Sequence, residues 1–353
     1  MTASASPDSP TPTRSGELPL ASRAVVFGLR EAGVGVALLL LIVGFSLASP
    51  YFATTDNFTN ILAQISINTI LAVGMTFVIL IGGIDLSVGS VLALATVVGA
   101  IILIPSTTLV GVPALGLDAA LAIPLAVVAC LLVGAGCGFI NGFVSERWRV
   151  PSFIVTLGMM SMARGASQVI SNNSTITGMP KVFKDMGNAR IFDLVPVYFI
   201  IALAVVLIAW FALRYTVFGR FIYAIGNNEE AVRLSGHNPR PFKITAFVIC
   251  GLLAGLAGFV FLLRLKAGSP IAGVAYELEA IAAVIIGGTS FSGGKGSVIG
   301  TFFGVCLLQV LSTGLILLGV EDNMRVIITG LVVVLAAVFD TYRSRIIASL
   351  RAR

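Results

Sequence analysis

The residue types that carry covalent chemistry are few and badly spaced in this chain of 353 residues. His237 is the only histidine, so neither a catalytic triad nor a histidine metal centre can be assembled; it reads as a solvated loop residue. The run Thr289-Ser-Phe-Ser-Gly-Gly-Lys-Gly-Ser297 invites comparison with a phosphate-binding loop, which needs Gly, four residues, Gly, Lys and then Ser or Thr. Counting back from Gly294-Lys295 puts Thr289 where the first Gly should stand, and Gly296 follows the Lys, so no nucleotide site is expected. Cys130, Cys137, Cys250 and Cys306 sit in apolar runs without CxxC spacing and read as small core residues.

What remains is non-covalent. Gln64, Ser66, Asn68 and Thr69 cluster in one apolar run, and Asn141, Thr156, Ser161 and Gln168 punctuate others. Amides and hydroxyls so placed either line a wet path or hydrogen-bond between helices. Asp85 lies between apolar runs, where a carboxylate is costly; after Gly82-Gly83 and near the inner boundary, it is expected to cap a helix that begins at Leu86 or Ser87. Glu277, Glu279 and Arg164 are expected at the membrane interface with their charged heads snorkelling to water.

The elements that must position these groups are membrane helices. The chain is 57% hydrophobic and 11% charged, against roughly 25% charged in a soluble domain. Apolar runs near the roughly 20 residues that cross a bilayer recur throughout. They give about ten spans: 31–50, 60–80, 86–105, 118–142, 152–172, 195–214, 244–264, 277–290, 297–318 and 324–340. The fold class is therefore an all-α polytopic membrane protein with about ten transmembrane helices and both termini cytoplasmic. With that topology most of the 22 Lys and Arg fall on the inner side. The net charge of +6 then reflects orientation in the membrane, and no nucleic-acid partner is expected. Residues 1–29, rich in Ser, Pro, Thr and Ala, read as a disordered cytoplasmic tail without a signal peptide; 30–342 form the membrane domain, and 343–353 a basic cytoplasmic tail. Small residues such as Gly251, Ala254, Gly255, Ala257 and Gly258 suit close helix packing. The segments from Val78 to Ser90 and from Val284 to Ser297 echo each other around a Gly-Gly pair, as the halves of duplicated transporters do.

One cytoplasmic loop is unusual. In Gly226-Asn-Asn-Glu-Glu-Ala-Val-Arg-Leu-Ser-Gly236, Asn227 or Asn228 can cap a helix, Glu229 and Glu230 suit its first turn, and Gly236 suits its end. A short surface helix between two spans has no core of its own to pack on. It reads as a docking element for a cytoplasmic partner.

Glu230-Ala231-Val232-Arg233-Leu234-Ser235-Gly236 is similar to the Glu-Ala-Ala-x-x-x-Gly motif of bacterial ATP-binding-cassette importer permeases, with Val232 replacing the second Ala. The run from Asn68 through Gly-Gly-Ile-Asp85-Leu-Ser-Val-Gly-Ser90 resembles the ribose-type monosaccharide permeases. So do Val150-Pro-Ser-Phe-Ile-Val-Thr-Leu-Gly158 and Gly287 to Ser297, in the family's order across roughly 57–340. The resemblance implies a permease subunit of an ATP-driven sugar importer in the bacterial inner membrane, paired with a second copy or a paralogue. Two ATPase subunits would lie beneath it and an extracytoplasmic sugar-binding protein above. ATP and Mg would bind the ATPase, so this chain is expected to hold no cofactor and to be no enzyme. Glu229, Glu230, Ala231, Arg233 and Gly236 would couple to the ATPase. Gln64, Asn68, Thr69, Asp85, Ser87, Asn141 and Thr156 are candidates for the translocation path. The alternative is an ion-coupled secondary sugar transporter, which usually carries an ionisable residue at mid-membrane. The acidic residues here are expected in tails, loops or near span ends instead.

Overall fold

The computed structural model describes residues 20–105, 114–321, 323–332, 334–335 and 338. In chain order the elements are α1 Leu20–Ala48, α2 Thr55–Leu80, α3 Val88–Leu103, α4 Ala119–Trp148, α5 Ser152–Ile170 and the short α6 Lys181–Asn188. A hairpin of β1 Arg190–Ile191 and β2 Val195–Pro196 follows, then α7 Val197–Tyr215, α8 Val217–Leu234, α9 Arg240–Leu265, α10 Tyr276–Ile286 and α11 Val298–Leu317. A further apolar helical segment covers Asn323–Val332. The hairpin is the departure from an all-α chain: three residues join its strands, of which Phe192 and Asp193 take positive φ, and the Leu194 amide donates to the Ile191 carbonyl at 3.2 Å.

Among the described residues, α2, α4, α5, α7, α9 and α11 are long and apolar enough to cross a membrane. Gly33–Ala48, Val88–Leu103 and Asn323–Val332 are apolar but shorter. Each span expected from the sequence contains a helix, although 324–340 runs partly outside the described residues. Helix α1 begins at Leu20, so 20–29 of the expected tail is helical backbone, while 1–19 and 343–353 lie outside the described residues.

The core is built on α2 and α9. From Ile61 to Ile81 every residue of α2 and its cap is buried except Gln64 and Asn68, which are half-buried one turn apart. Helix α4 packs against α9 through glycines on both sides. A Cβ on Gly134 or Gly138 would meet the main chain of Gly251 or Phe247, so only small residues let these backbones approach so closely. Cys130, Cys250 and Cys306 are buried in this interior, and Cys137 half-buried.

The Gly-Gly echo is a repeated helix ending. Helices α2 and α10 each close on a glycine with positive φ, Gly82 at 76° and Gly288 at 85°. In each, the next two amides bond back to the last turn: Gly82 and Gly83 to Ile79 and Val78, Gly288 and Thr289 to Ile285 and Val284. The structure therefore matches Gly82 with Gly288, one residue off the register in which the two Gly-Gly pairs coincide.

The eighth expected span, 277–290, differs most. Helix α10 has 11 residues, which at 1.5 Å each covers about 16 Å, half of a ~30 Å bilayer core. It is preceded by the non-helical segment 266–275, laid along α3. Gly268 lies against Ala100 and Thr96, and Gly273 against Gly89.

Candidate functional site

Non-helical backbone at membrane depth survives only where its polar groups find partners inside the protein. Here several are provided. Gly268 exchanges both backbone hydrogen bonds with Ile176, at 2.8 and 2.9 Å. Thr96 Oγ1 donates to the carbonyl of Ser269 at 3.3 Å. Arg164 Nη1 donates to the carbonyls of Pro270, at 2.8 Å, and Ala272, at 2.7 Å, and Ser167 Oγ adds a bond to Pro270 at 3.3 Å. Arg164 thus does not snorkel to the interface as expected. Its guanidinium is spent on main-chain carbonyls that have no water to turn to.

This segment delivers the start of α10, with Glu277 and Glu279 in its first turn, to the middle of the bundle. Asn68 Nδ2 donates to Glu279 Oε2 at 3.0 Å and to Gln309 Oε1 at 3.3 Å, and Gln309 Nε2 donates to Gln64 Oε1 at 2.5 Å. Asn68 is central in α2 and Gln309 central in α11, so the network sits at mid-depth. Glu279 is exposed on the surface of the chain, within electrostatic reach of Arg325. Through Asn68, Glu279 stands beside the middle of α2 and α11 and not beside their ends, which departs from the interfacial placement expected of it. Gln309, passed over in the sequence because it stands alone in an apolar run, belongs with Gln64 and Asn68. Thr69 does not join them; it is fully buried, and its hydroxyl has no hydrogen-bond partner among the described residues.

Asp85, Ser87, Asn141 and Thr156 form a second, fully packed group. Asp85 Oδ1 accepts from the Ser87 amide at 2.9 Å and from its hydroxyl at 2.6 Å. Asn141 Nδ2 donates to Ser87 Oγ at 3.0 Å and to both carboxylate oxygens at 3.4 and 3.5 Å. Thr156 Oγ1 donates to the carbonyl of Ile84 at 3.3 Å. Helix α3 starts at Val88, so Asp85 braces the turn ahead of the helix instead of capping it. It also lies deeper than the inner boundary: its partner Asn141 is seven residues from the α4 terminus at Trp148, about 10 Å along the axis.

The segment expected from the sequence to be a docking element is the end of α8. Asn228 breaks the helix with φ −162° and ψ 96°, and its Oδ1 accepts from the Ala231 amide at 3.0 Å, restarting the helix as a cap. Gly236, at φ +83°, ends it, with Gly236 and His237 amides bonding back to Arg233 and Val232. Val232 is buried, which accounts for a larger apolar residue there, whereas Glu230, Ala231 and Leu234 are exposed, Leu234 by 80%. Both acidic residues pair with Arg233, Glu229 at 3.1 Å and Glu230 at 3.3 Å; Glu229 also reaches Lys243 at 3.1 Å, and Lys243 reaches Glu146 on α4 at 2.5 Å. Glu146, Glu229, Arg233 and Lys243 line a cavity of about 410 Å³ with Arg149, Arg240 and the Gly82-Gly83 turn. His237, expected to be merely solvated, is exposed but lies 4.9 Å from the Phe221 ring, which stacks on Phe242 at 4.4 Å.

The break in α8 meets the Gly82 turn and the Gly293-Gly294 turn in the loop after α10. The Gly294 amide donates to the Leu80 carbonyl at 2.8 Å, and a Cβ on Gly226 would collide with that carbonyl and with the Gly294 amide. Tyr223 holds the same loop through its hydroxyl, which donates to the Gly296 carbonyl at 3.0 Å; burial holds that hydroxyl above its ordinary pKa range, Arg214 opposing. The break in α8 therefore touches the end of α2 and the loop that joins α10, which carries Glu279, to α11.

The family model described as "Branched-chain amino acid transport system / permease component" matches residues 57–337. The chain is 44% identical over 309 residues to the ribose import permease protein RbsC of Escherichia coli K12, covering 86% of this chain and 92% of that protein. It is 38% identical over 317 residues to RbsC of Bacillus subtilis, covering 90% and 94%. The D-allose transport system permease protein AlsC of Escherichia coli K12 is 36% identical over 310 residues, covering 88% and 90%. No solved structure matches the chain. With one family model along most of its length and these relatives along nearly all of it, the chain belongs to the branched-chain amino acid transport system / permease component family, among its ribose-type import permeases.

Proposed function

We propose that this chain is the permease subunit of an ATP-driven importer, forming the path for a monosaccharide or related polyol across the bacterial inner membrane. It would cross ten times with both termini inside, the eighth crossing being 266–275 together with α10. ATPase subunits, which bind ATP and Mg, would dock on the end of α8. A sugar-binding protein would deliver substrate at the opposite face, and a second permease would complete the path. The sugar class follows the ribose and allose permeases it resembles. The observation that carries the reading is the capped helix Asn228 to Leu234, which presents Glu230, Ala231 and Leu234 outward while its other end bears on the glycine turns.

Alternating access then needs no covalent step in this chain. ATP binding by the partner moves the docking helix, the Gly226–Leu80–Gly294 contact carries the movement to α2 and to the loop that joins α10 to α11, and the half-helix shifts against α11. The experiment is co-purification of the tagged chain from native membranes with an ATPase assay. Recovery of an ATP-binding-cassette subunit is expected, and Glu230→Lys is expected to insert normally but lose it; a Glu230→Lys chain that co-purifies and transports normally overturns the docking assignment.

Glu279 at mid-depth favours one second reading, an ion-coupled carrier, since such carriers place an ionisable residue there. Uptake that survives ATP depletion but fails with a protonophore would establish it.

A further inference from the structure

We infer that Gln64, Asn68, Glu279 and Gln309 form a binding site for sugar hydroxyls at the middle of the path, an inference that rests on the importer reading above. Three facts converge on it. Along the buried stretch of α2, Gln64 and Asn68 are the side chains left half-open, at the i, i+4 spacing that puts them on one face. Opposite them stand an amide from α11 and a carboxylate from α10, and all four are joined by hydrogen bonds of 2.5 to 3.3 Å. Glu279, although at mid-depth, is exposed on the surface of the single chain. A carboxylate there cannot face lipid without a large penalty, so this face borders a watered path.

The chemistry selects a neutral polyhydroxyl ligand. Each amide offers a donor and an acceptor, and the carboxylate offers acceptors only, which together match vicinal hydroxyls that both donate and accept. With no sugar present the groups satisfy one another. An entering hydroxyl replaces one such bond with an equivalent one, giving the weak, exchangeable hold that passage requires. The non-helical segment 266–275 sets the position of Glu279, so that the movement of α10 closes or opens the site.

The test uses the full complex with its ATPase and binding protein in proteoliposomes, with radiolabelled D-ribose as probe and D-allose and L-arabinose as competitors. The variants are Glu279→Gln, Gln309→Asn and Asn68→Ser, each read for uptake and for binding-protein-stimulated ATPase. At least one conservative variant is expected to keep ATPase stimulation within about twofold of wild type while sugar carried per ATP falls about tenfold, or the ribose-to-allose preference shifts by as much. The inference is overturned if all the variants that assemble carry the sugars in wild-type proportion and yield, or if uptake and ATPase fall together in every variant, which is the signature of a structural role. Failure of the wild-type complex to take up any of the three sugars with ATP would instead overturn the importer reading itself. Uptake by wild type that tracks an imposed ion gradient and is abolished by Glu279→Gln would overturn the sugar site in favour of ion coupling.

Discussion

Replacing Arg164 with Met removes both of its bonds to the non-helical segment, 2.8 Å to Pro270 and 2.7 Å to Ala272. Hydrogen bonds from a charged donor contribute about 1.5–3 kcal/mol each. Ser167 still serves the Pro270 carbonyl, so the main loss is an orphaned Ala272 carbonyl and the net cost is ~3 kcal/mol. At a factor of ten per ~1.4 kcal/mol, the open form of 266–275 should become more populated by about a hundredfold. Hydrogen exchange with mass spectrometry in detergent reads this directly, because the Gly268 and Ala272 amides are hydrogen-bonded only while the segment is in place. Exchange over 266–275 is expected to rise about a hundredfold in Arg164→Met. It should rise about tenfold in Arg164→Lys, whose compact ammonium at the end of a different stem cannot reproduce the guanidinium geometry on both carbonyls. Exchange in α4 and α9 should not change. Rates over 266–275 within about threefold of wild type in the Met variant would refute the claim that Arg164 holds the segment.

Lys243→Met leaves Glu146 without its cation and Glu229 with Arg233 alone, and should cost ~2–3 kcal/mol in detergent thermal denaturation; adding Glu146→Gln should recover about half, and strictly additive losses would count against the pairing. Gly226→Ala forces a Cβ onto the Leu80 carbonyl and should lower binding-protein-stimulated ATPase about tenfold while the complex still assembles; unchanged stimulation would remove this contact from the coupling route. Asp85→Asn weakens the brace on Ser87 and should cost ~1–2 kcal/mol in thermal stability without altering which sugar competes for uptake; a changed sugar preference would place Asp85 on the path.

The parts legible in the sequence are those fixed by neighbours. Apolar runs marked the spans because lipid acts on each helix separately, and α2, α5 and α11 lie within a few residues of expectation. The cap at Asn228 and the terminator at Gly236 were readable because capping is decided within one turn. The course of the chain over 266–286 was not. Lys266-Ala-Gly-Ser-Pro-Ile-Ala-Gly-Val-Ala275 has neither helical periodicity nor an apolar run, and its stability in the membrane comes from Thr96, Arg164 and Ile176, remote in sequence. The depth of Glu279 depended on that course, and so did the grouping of Gln309 with Gln64 and Asn68. Glu229 and Glu230 are adjacent and alike in the sequence, and only the position of Lys243 on α9 divides one from the other.

The order of synthesis suits this construction. Thr96, Arg164, Ser167 and Ile176, which hold 266–275, all precede it in the chain. A ribosome therefore delivers every partner before the segment that depends on them. A stretch too polar and irregular to enter lipid alone emerges beside a bundle that already offers its hydrogen bonds, and is received by protein instead of by the bilayer. Circular permutation that moved 266–286 ahead of α3 would keep every contact of the finished fold and remove that advantage during membrane insertion.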